Sequence, residues 1–94
     1  MKVFYTFGPL ESAKVVEAKD IQLYPNPTNG EINVSGLKAG YRIQVYNSVG
    51  AAVRDINVQS SIERISLKNQ PSGMYMVVVM ENNKILIRFK ALKK

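Results

Sequence analysis

The chain has no cysteine and no histidine. Without cysteine a disulfide framework is impossible, and without either residue so is a structural zinc site. The lack of cysteine does not fix the compartment. Without histidine the usual Ser-His-Asp arrangement is excluded. General acid–base work would then need carboxylates held in contrasting environments. The acids are Glu11, Glu17, Asp20, Glu31, Asp55, Glu63 and Glu81, scattered over different strands and turns where solvated charges are expected. No glycine-rich loop leads into a helix, so the phosphate cradle is missing. No run of eighteen apolar residues exists, so no helix of this chain spans a membrane. Tryptophan is absent, and no segment keeps helical periodicity over ten residues. The reading expects no enzyme, no cofactor and no metal.

What is present suits a small β domain. Ninety-four residues make at most one domain. The 46% apolar fraction suffices for a core. Valine and isoleucine are frequent and tyrosine outnumbers phenylalanine, a mix that fits half-buried pleated surfaces. The net charge is +6. Five cations, Lys84, Arg88, Lys90, Lys93 and Lys94, fall in the last eleven positions. A basic end can meet nucleic acid, anionic lipid or an acidic protein. Outward charges on an edge strand would also discourage unwanted pairing. Met1 to Gly8 is too short and lacks a small-residue cleavage site, so it is not read as a signal peptide. The expectation is a start placed before a fragment of a longer protein.

Val3 to Phe7 reads as a strand, closed by Gly8-Pro9, and Lys14 to Lys19 as either a short strand or a linker. Clear rhythm begins at Asp20. Ile21 to Tyr24, Glu31 to Ser35 and Tyr41 to Tyr46 alternate as half-buried strands do, the chain returns through Ala51 to Val58, and Ile62 to Lys68 reads as another strand with Ile65 and Leu67 on one face. Met74 to Met80 is apolar on both faces, as expected of a central strand. Ile85, Ile87 and Phe89 alternate with Leu86, Arg88 and Lys90 in the last one. Short polar turns at Asn47-Ser48-Val49-Gly50 and Glu81-Asn82-Asn83-Lys84 predict hairpins. Six or seven short strands at regular spacing describe a β-sandwich or a small barrel. Val45, Val77, Val79 and Ile87 are expected in its core.

The most informative stretch is Tyr24-Pro25-Asn26-Pro27-Thr28-Asn29-Gly30. Pro25 and Pro27 lack a backbone donor and fix φ. Each pushes its predecessor toward extended geometry. Thr28-Asn29-Gly30 adds turn chemistry, with Asn29 and Gly30 able to take positive φ. A strand ends here in a stiff corner. Asn26, Asn29 and Glu31 carry oxygens suited to calcium, but their spacing matches no known loop. Asn33-Val34-Ser35 fits the glycosylation acceptor pattern but lies within a strand.

Three pieces then line up: Leu23 to Gly30, Ile43 to Gly50, and Gly73-Met74-Tyr75 leading into a lysine-containing last strand. This order resembles the type A C-terminal sorting domain of cargo proteins exported by the type IX secretion system of the Bacteroidetes. The resemblance covers roughly Asp20 to Lys94, with residues 1–19 left as an upstream linker or the end of the cargo, where Val3 to Phe7 would be an extra edge strand. Its second motif usually carries aspartate where Asn47 stands, and often arginine where Ala51 stands. It implies an all-β fold, an immunoglobulin-like antiparallel β-sandwich of about seven strands. It also implies a label that directs a cargo across the outer membrane to the cell surface. The partners implied are the secretion machinery, including an outer-membrane shuttle protein, and a sortase-like cysteine protease that commonly removes the label.

Under this reading the final strand is the recognition element, with Phe89, Lys90, Leu92, Lys93 and Lys94 as its candidates. Its backbone would accept strand addition, its lysines would favour an acidic receptor, and Phe89 and Leu92 would also add core contacts. Tyr24, Pro25, Asn26, Pro27, Asn29, Gly30, Gly50 and Gly73 shape the motif turns. Exposed sheet edges predict a strand-swapped dimer of the isolated domain at high concentration. The alternative is an adhesive or carbohydrate-binding sandwich, which would present aromatics to sugars. A single-strand nucleic-acid binder would interleave aromatics with cations, whereas here the cations crowd one end, so no nucleic-acid partner is expected.

Overall fold

The computed structural model describes residues 20–94, so the expected strand Val3 to Phe7 lies outside the described residues. Seven strands follow in chain order: β1 (Gln22–Tyr24), β2 (Glu31–Ser35), β3 (Arg42–Tyr46), β4 (Ala52–Asn57), β5 (Ile62–Ser66), β6 (Gly73–Glu81) and β7 (Lys84–Lys93). No helix occurs among the described residues. One antiparallel sheet has the order β1-β2-β5, and the other β4-β3-β6-β7. The two sheets form an immunoglobulin-like sandwich.

Period-two alternation explains the core. Ile32 and Val34 of β2 and Ile65 of β5 point inward from the smaller sheet. Ile43 and Val45 of β3, with Val77 and Val79 of β6, point inward from the larger one. All seven are buried. Burying an aliphatic side chain of this size stabilises by roughly 1.5–3 kcal/mol relative to leaving it in water. Leu37, Tyr41, Val58 and Leu67 close the ends of the sandwich from the loops. The loop carrying Leu37 is pinned where its N–H donates to Ser61 O at 3.0 Å.

The hairpins match their chemistry. Asn82 and Asn83 both take positive φ between β6 and β7, as a two-residue primed turn requires. Gly36 was not singled out from the sequence. Its φ is +78°, and a Cβ there would lie 2.1 Å from the Asp20 carbonyl oxygen. Only glycine lets the chain beneath pass that close.

The last strand departs from the expected alternation. Val45, Val77 and Val79 are buried, but Ile87 is only half-buried. It sits on an edge strand, where one flank of the inner face has no neighbour among the described strands. The register between β6 and β7 shifts at Val79/Met80, so that Ile87 faces Val79 while Ile85 faces Met80. This bulge puts Ile85 on the opposite face from Ile87 and leaves it 47% exposed. Leu92 is likewise on the outer face, 39% exposed, and Ala91 takes the core position beside Tyr75. Phe89 keeps its inward contacts, half-buried.

Candidate functional site

β7 is the edge of the four-stranded sheet, and the Pro-Asn-Pro segment lies against its outer side. After β1 leaves the smaller sheet, the chain crosses to β7 and forms a parallel bridge between Thr28 and Lys93. The Thr28 N–H donates to Leu92 O at 2.8 Å, and the Lys94 N–H donates to Thr28 O at 2.9 Å. Asn26 imitates a further strand residue with its side chain. Its Nδ2 donates to Lys90 O at 2.7 Å, and its Oδ1 accepts from Leu92 N at 3.0 Å. Four hydrogen bonds therefore clasp residues 90–94 to the motif. Proline supplies no donor of its own, so Pro25 and Pro27 leave Asn26 and Thr28 as the pairing residues. The Tyr24–Pro25 and Asn26–Pro27 peptide bonds are both cis.

Thr28 is the residue that sequence reasoning undervalued. It is a polar side chain at 1% exposure. Its Oγ1 donates to Glu31 O at 2.5 Å and accepts from Gly30 N at 3.0 Å. A threonine two residues before a glycine in a turn was the available signal. The Asn26 side-chain oxygen, considered for calcium, is occupied by Leu92 N. No cluster of three or more acidic, histidine or cysteine side chains is placed to hold a metal among the described residues.

The clasp divides the outer edge of β7. Along a strand, successive residues turn their backbone groups to opposite sides. Leu92 faces the clasp, so Lys90 and Arg88 face the same way. Lys90 O is taken by Asn26. The Lys90 N–H and both backbone groups of Arg88 have no partner among the described residues. Among the described residues, the final strand is thus paired on its outer edge at its C-terminal half, and the unpaired part of that edge lies around Arg88.

The candidate recognition residues do not share one surface. Lys90 and Leu92 lie on the outer face of the sheet, and Phe89 lies on the inner one. Lys94 is exposed beyond the strand. The Lys93 ammonium is drawn back to donate to Gln70 O at 2.5 Å. Elsewhere on the outer face, Arg42 and Asp55 form a bidentate pair at 2.8 and 2.6 Å. The hydrogen bond from Arg42 holds the Asp55 carboxyl below its ordinary range, and Asp55 raises Arg42 in turn.

The other two motif pieces are structural. Asn47 Oδ1 accepts from Val49 N at 3.1 Å and Ala51 N at 2.9 Å, fixing the β3–β4 turn. An aspartate oxygen would accept both bonds equally well, which explains why either residue suits this position. Gly50 completes that turn at φ +87°. Tyr75, near the start of β6, sends its hydroxyl back to Pro71 O at 2.5 Å. This is the tyrosine corner of Greek-key sandwiches, and Gly73 begins the strand that carries it.

The family described as a secretion system C-terminal sorting domain matches residues 22–93, nearly all of the described structure. The chain belongs to this family. Beta-agarase A of Zobellia galactanivorans is 39% identical over 57 residues, 58% of this chain and 11% of the agarase. A solved structure of PorZ, from Porphyromonas gingivalis, has the same fold, with a TM-score of 0.69 at 18% identity. The match covers 88% of this chain and 12% of PorZ, which is described as an essential bacterial surface component of the type IX secretion system. The chain therefore spans only about a tenth of the proteins it matches. As a type IX sorting domain it directs the protein that carries it to the outer-membrane surface or the extracellular space. Sorting domains of this family are not themselves catalytic.

Proposed function

We propose that the sorting signal is read at β7, by strand addition to the edge left open before the clasp. The observation that carries this reading is the division of that edge. Asn26 and Thr28 hold residues 90–94 in place, while Arg88 and the Lys90 N–H present backbone groups that no described residue pairs with. An extended segment of the secretion machinery would pair with those groups. Lys90 and Lys94 would speed its encounter if it is acidic.

Residues 20–94 form the label, and residues 1–19 are the junction with the cargo. The cargo passes through the periplasm, where an outer-membrane shuttle protein receives the folded label. A sortase-like cysteine protease then cuts within Glu11 to Lys19, a polar stretch of weak patterning, and joins the cargo to an anionic lipopolysaccharide. In isolation, the label exchanges a strand between copies at high concentration, a dimer that light scattering would register.

The test is surface delivery of a reporter carrying the chain at its C-terminus. Deleting Phe89 to Lys94 should hold the reporter in the periplasm. The Lys90→Gln/Lys94→Gln variant should fold normally, since exposed substitutions shift stability by only about 0.5 kcal/mol. Lys93 is left intact because it bonds Gln70 O. Slower delivery of the double variant assigns the charges a part. Normal delivery of the deletion refutes the role of this strand.

A further inference from the structure

The outer face of the four-stranded sheet carries a stripe of large apolar side chains that the core does not use. On β6, Tyr75, Val77 and Val79 point inward, so Met74, Met76, Val78 and Met80 line the opposite face. Met74 is 44% exposed, and Met76 and Met80 are half-buried. Val78 is only 6% exposed, flanked in register by Gln44 and Arg88. Leu92 pairs with Met74 and extends the stripe onto β7. Beside it, a depression of about 340 Å³ opens between the β3–β4 turn and β7, lined by Asn47, Ser48, Met74, Tyr75, Met76 and Lys90.

The charges around the stripe have one sign. Arg88 pairs with Val78 and Lys90 with Met76, so both cations border it. Among the described residues, the one carboxylate on the same face, Asp55, is already engaged by Arg42. Methionine is flexible and polarisable, and it packs well against varied apolar and aromatic groups. We infer that this face is a docking surface for an acidic protein segment, one that places an apolar or aromatic side chain in the depression and carboxylates on Arg88 and Lys90. A second copy of the chain is disfavoured as the occupant. It would bring the same two cations against their counterparts, on a chain of net charge +6. A lipid surface is disfavoured by the recessed shape, which suits a projecting side chain rather than a flat headgroup layer.

The test uses the full chain labelled with carbon-13 at the methionine methyls. Three of its four methionines, Met74, Met76 and Met80, report on the face. The probe is a short synthetic peptide alternating glutamate with phenylalanine, compared with one alternating lysine with phenylalanine. The acidic peptide should shift the three methyls saturably, and the basic peptide should not. Arg88→Glu/Lys90→Glu should weaken the acidic peptide by at least about tenfold without changing the melting temperature. Equal shifts with both peptides, or none, overturn the proposal. Shifts produced only by phosphatidylglycerol vesicles would assign the face to lipid, and shifts that follow chain concentration without peptide would assign it to self-association. Either result overturns it too. The titration reads the face directly, so its failure would leave the sorting role of β7 untouched.

Discussion

Replacing Asn26 with alanine should loosen the end of β7 while leaving the sandwich intact. The side chain makes two hydrogen bonds to β7 backbone, at 2.7 Å to Lys90 O and 3.0 Å from Leu92 N. A typical hydrogen bond contributes a net 0.5–1.5 kcal/mol or so. Both bonds are exposed, so water replaces them at little penalty, and the low end applies. The expected loss is about 1 kcal/mol for the pair, which corresponds to roughly fivefold more frequent opening. Amide hydrogen exchange reads this residue by residue. In the wild type, the Leu92 amide should be protected and the Arg88 amide should exchange quickly. In Asn26→Ala, Leu92 should exchange roughly fivefold faster. The Ala91 amide, which faces β6, should change little. Equal exchange of Arg88 and Leu92 in the wild type would refute the clasp. So would an unchanged Leu92 rate in the variant.

Three further outcomes follow from the packing and charges. Val77→Ala empties space between the sheets at a fully buried site and should cost about 2–4 kcal/mol in denaturant unfolding. Tyr75→Phe removes the hydroxyl that bonds Pro71 O and should cost about 1–2 kcal/mol, with the far-ultraviolet spectrum unchanged. The Asp55 carboxyl is held below its ordinary range by Arg42. Its contribution to stability is therefore present above an unfolded value near about 3.9 and lost as pH falls through its lower folded value. Thermal melts at low salt should show a smaller acid-induced decrease for Asp55→Asn than for the wild type over that window, and added salt should shrink the difference.

Local chemistry made much of the fold legible. Alternation placed β2 and β3, because Ile32, Val34, Ile43 and Val45 each pack against the opposite sheet. The turn at Tyr24 to Gly30 was visible from its prolines and glycine. Its partner was not, because Asn26 reaches backbone 64 and 66 residues away and such pairings leave no periodic trace. β7 was misread where its bulge reverses the alternation. Ile85 and Ile87 read as one face, and only the pairing with Met80 and Val79 separates them. Ala91 was overlooked because a small side chain carries little hydrophobic signal, yet the slot beside Tyr75 is filled by it. Met74 to Met80 read as a central strand, and β6 does lie between β3 and β7. The outer face of their sheet is uncovered by any described element.

The central claim, that the open backbone edge of β7 is what the secretion machinery reads, is tested most directly at Arg88. Proline there removes an outward N–H that no described group uses, and edge strands tolerate proline at such positions. Glutamine there keeps the N–H and removes the charge. Surface delivery of a reporter carrying each variant is the measurement, with a thermal melt to confirm that both fold. The account predicts that Arg88→Gln is delivered and Arg88→Pro is retained in the periplasm. Normal delivery of a folded Arg88→Pro variant would contradict it.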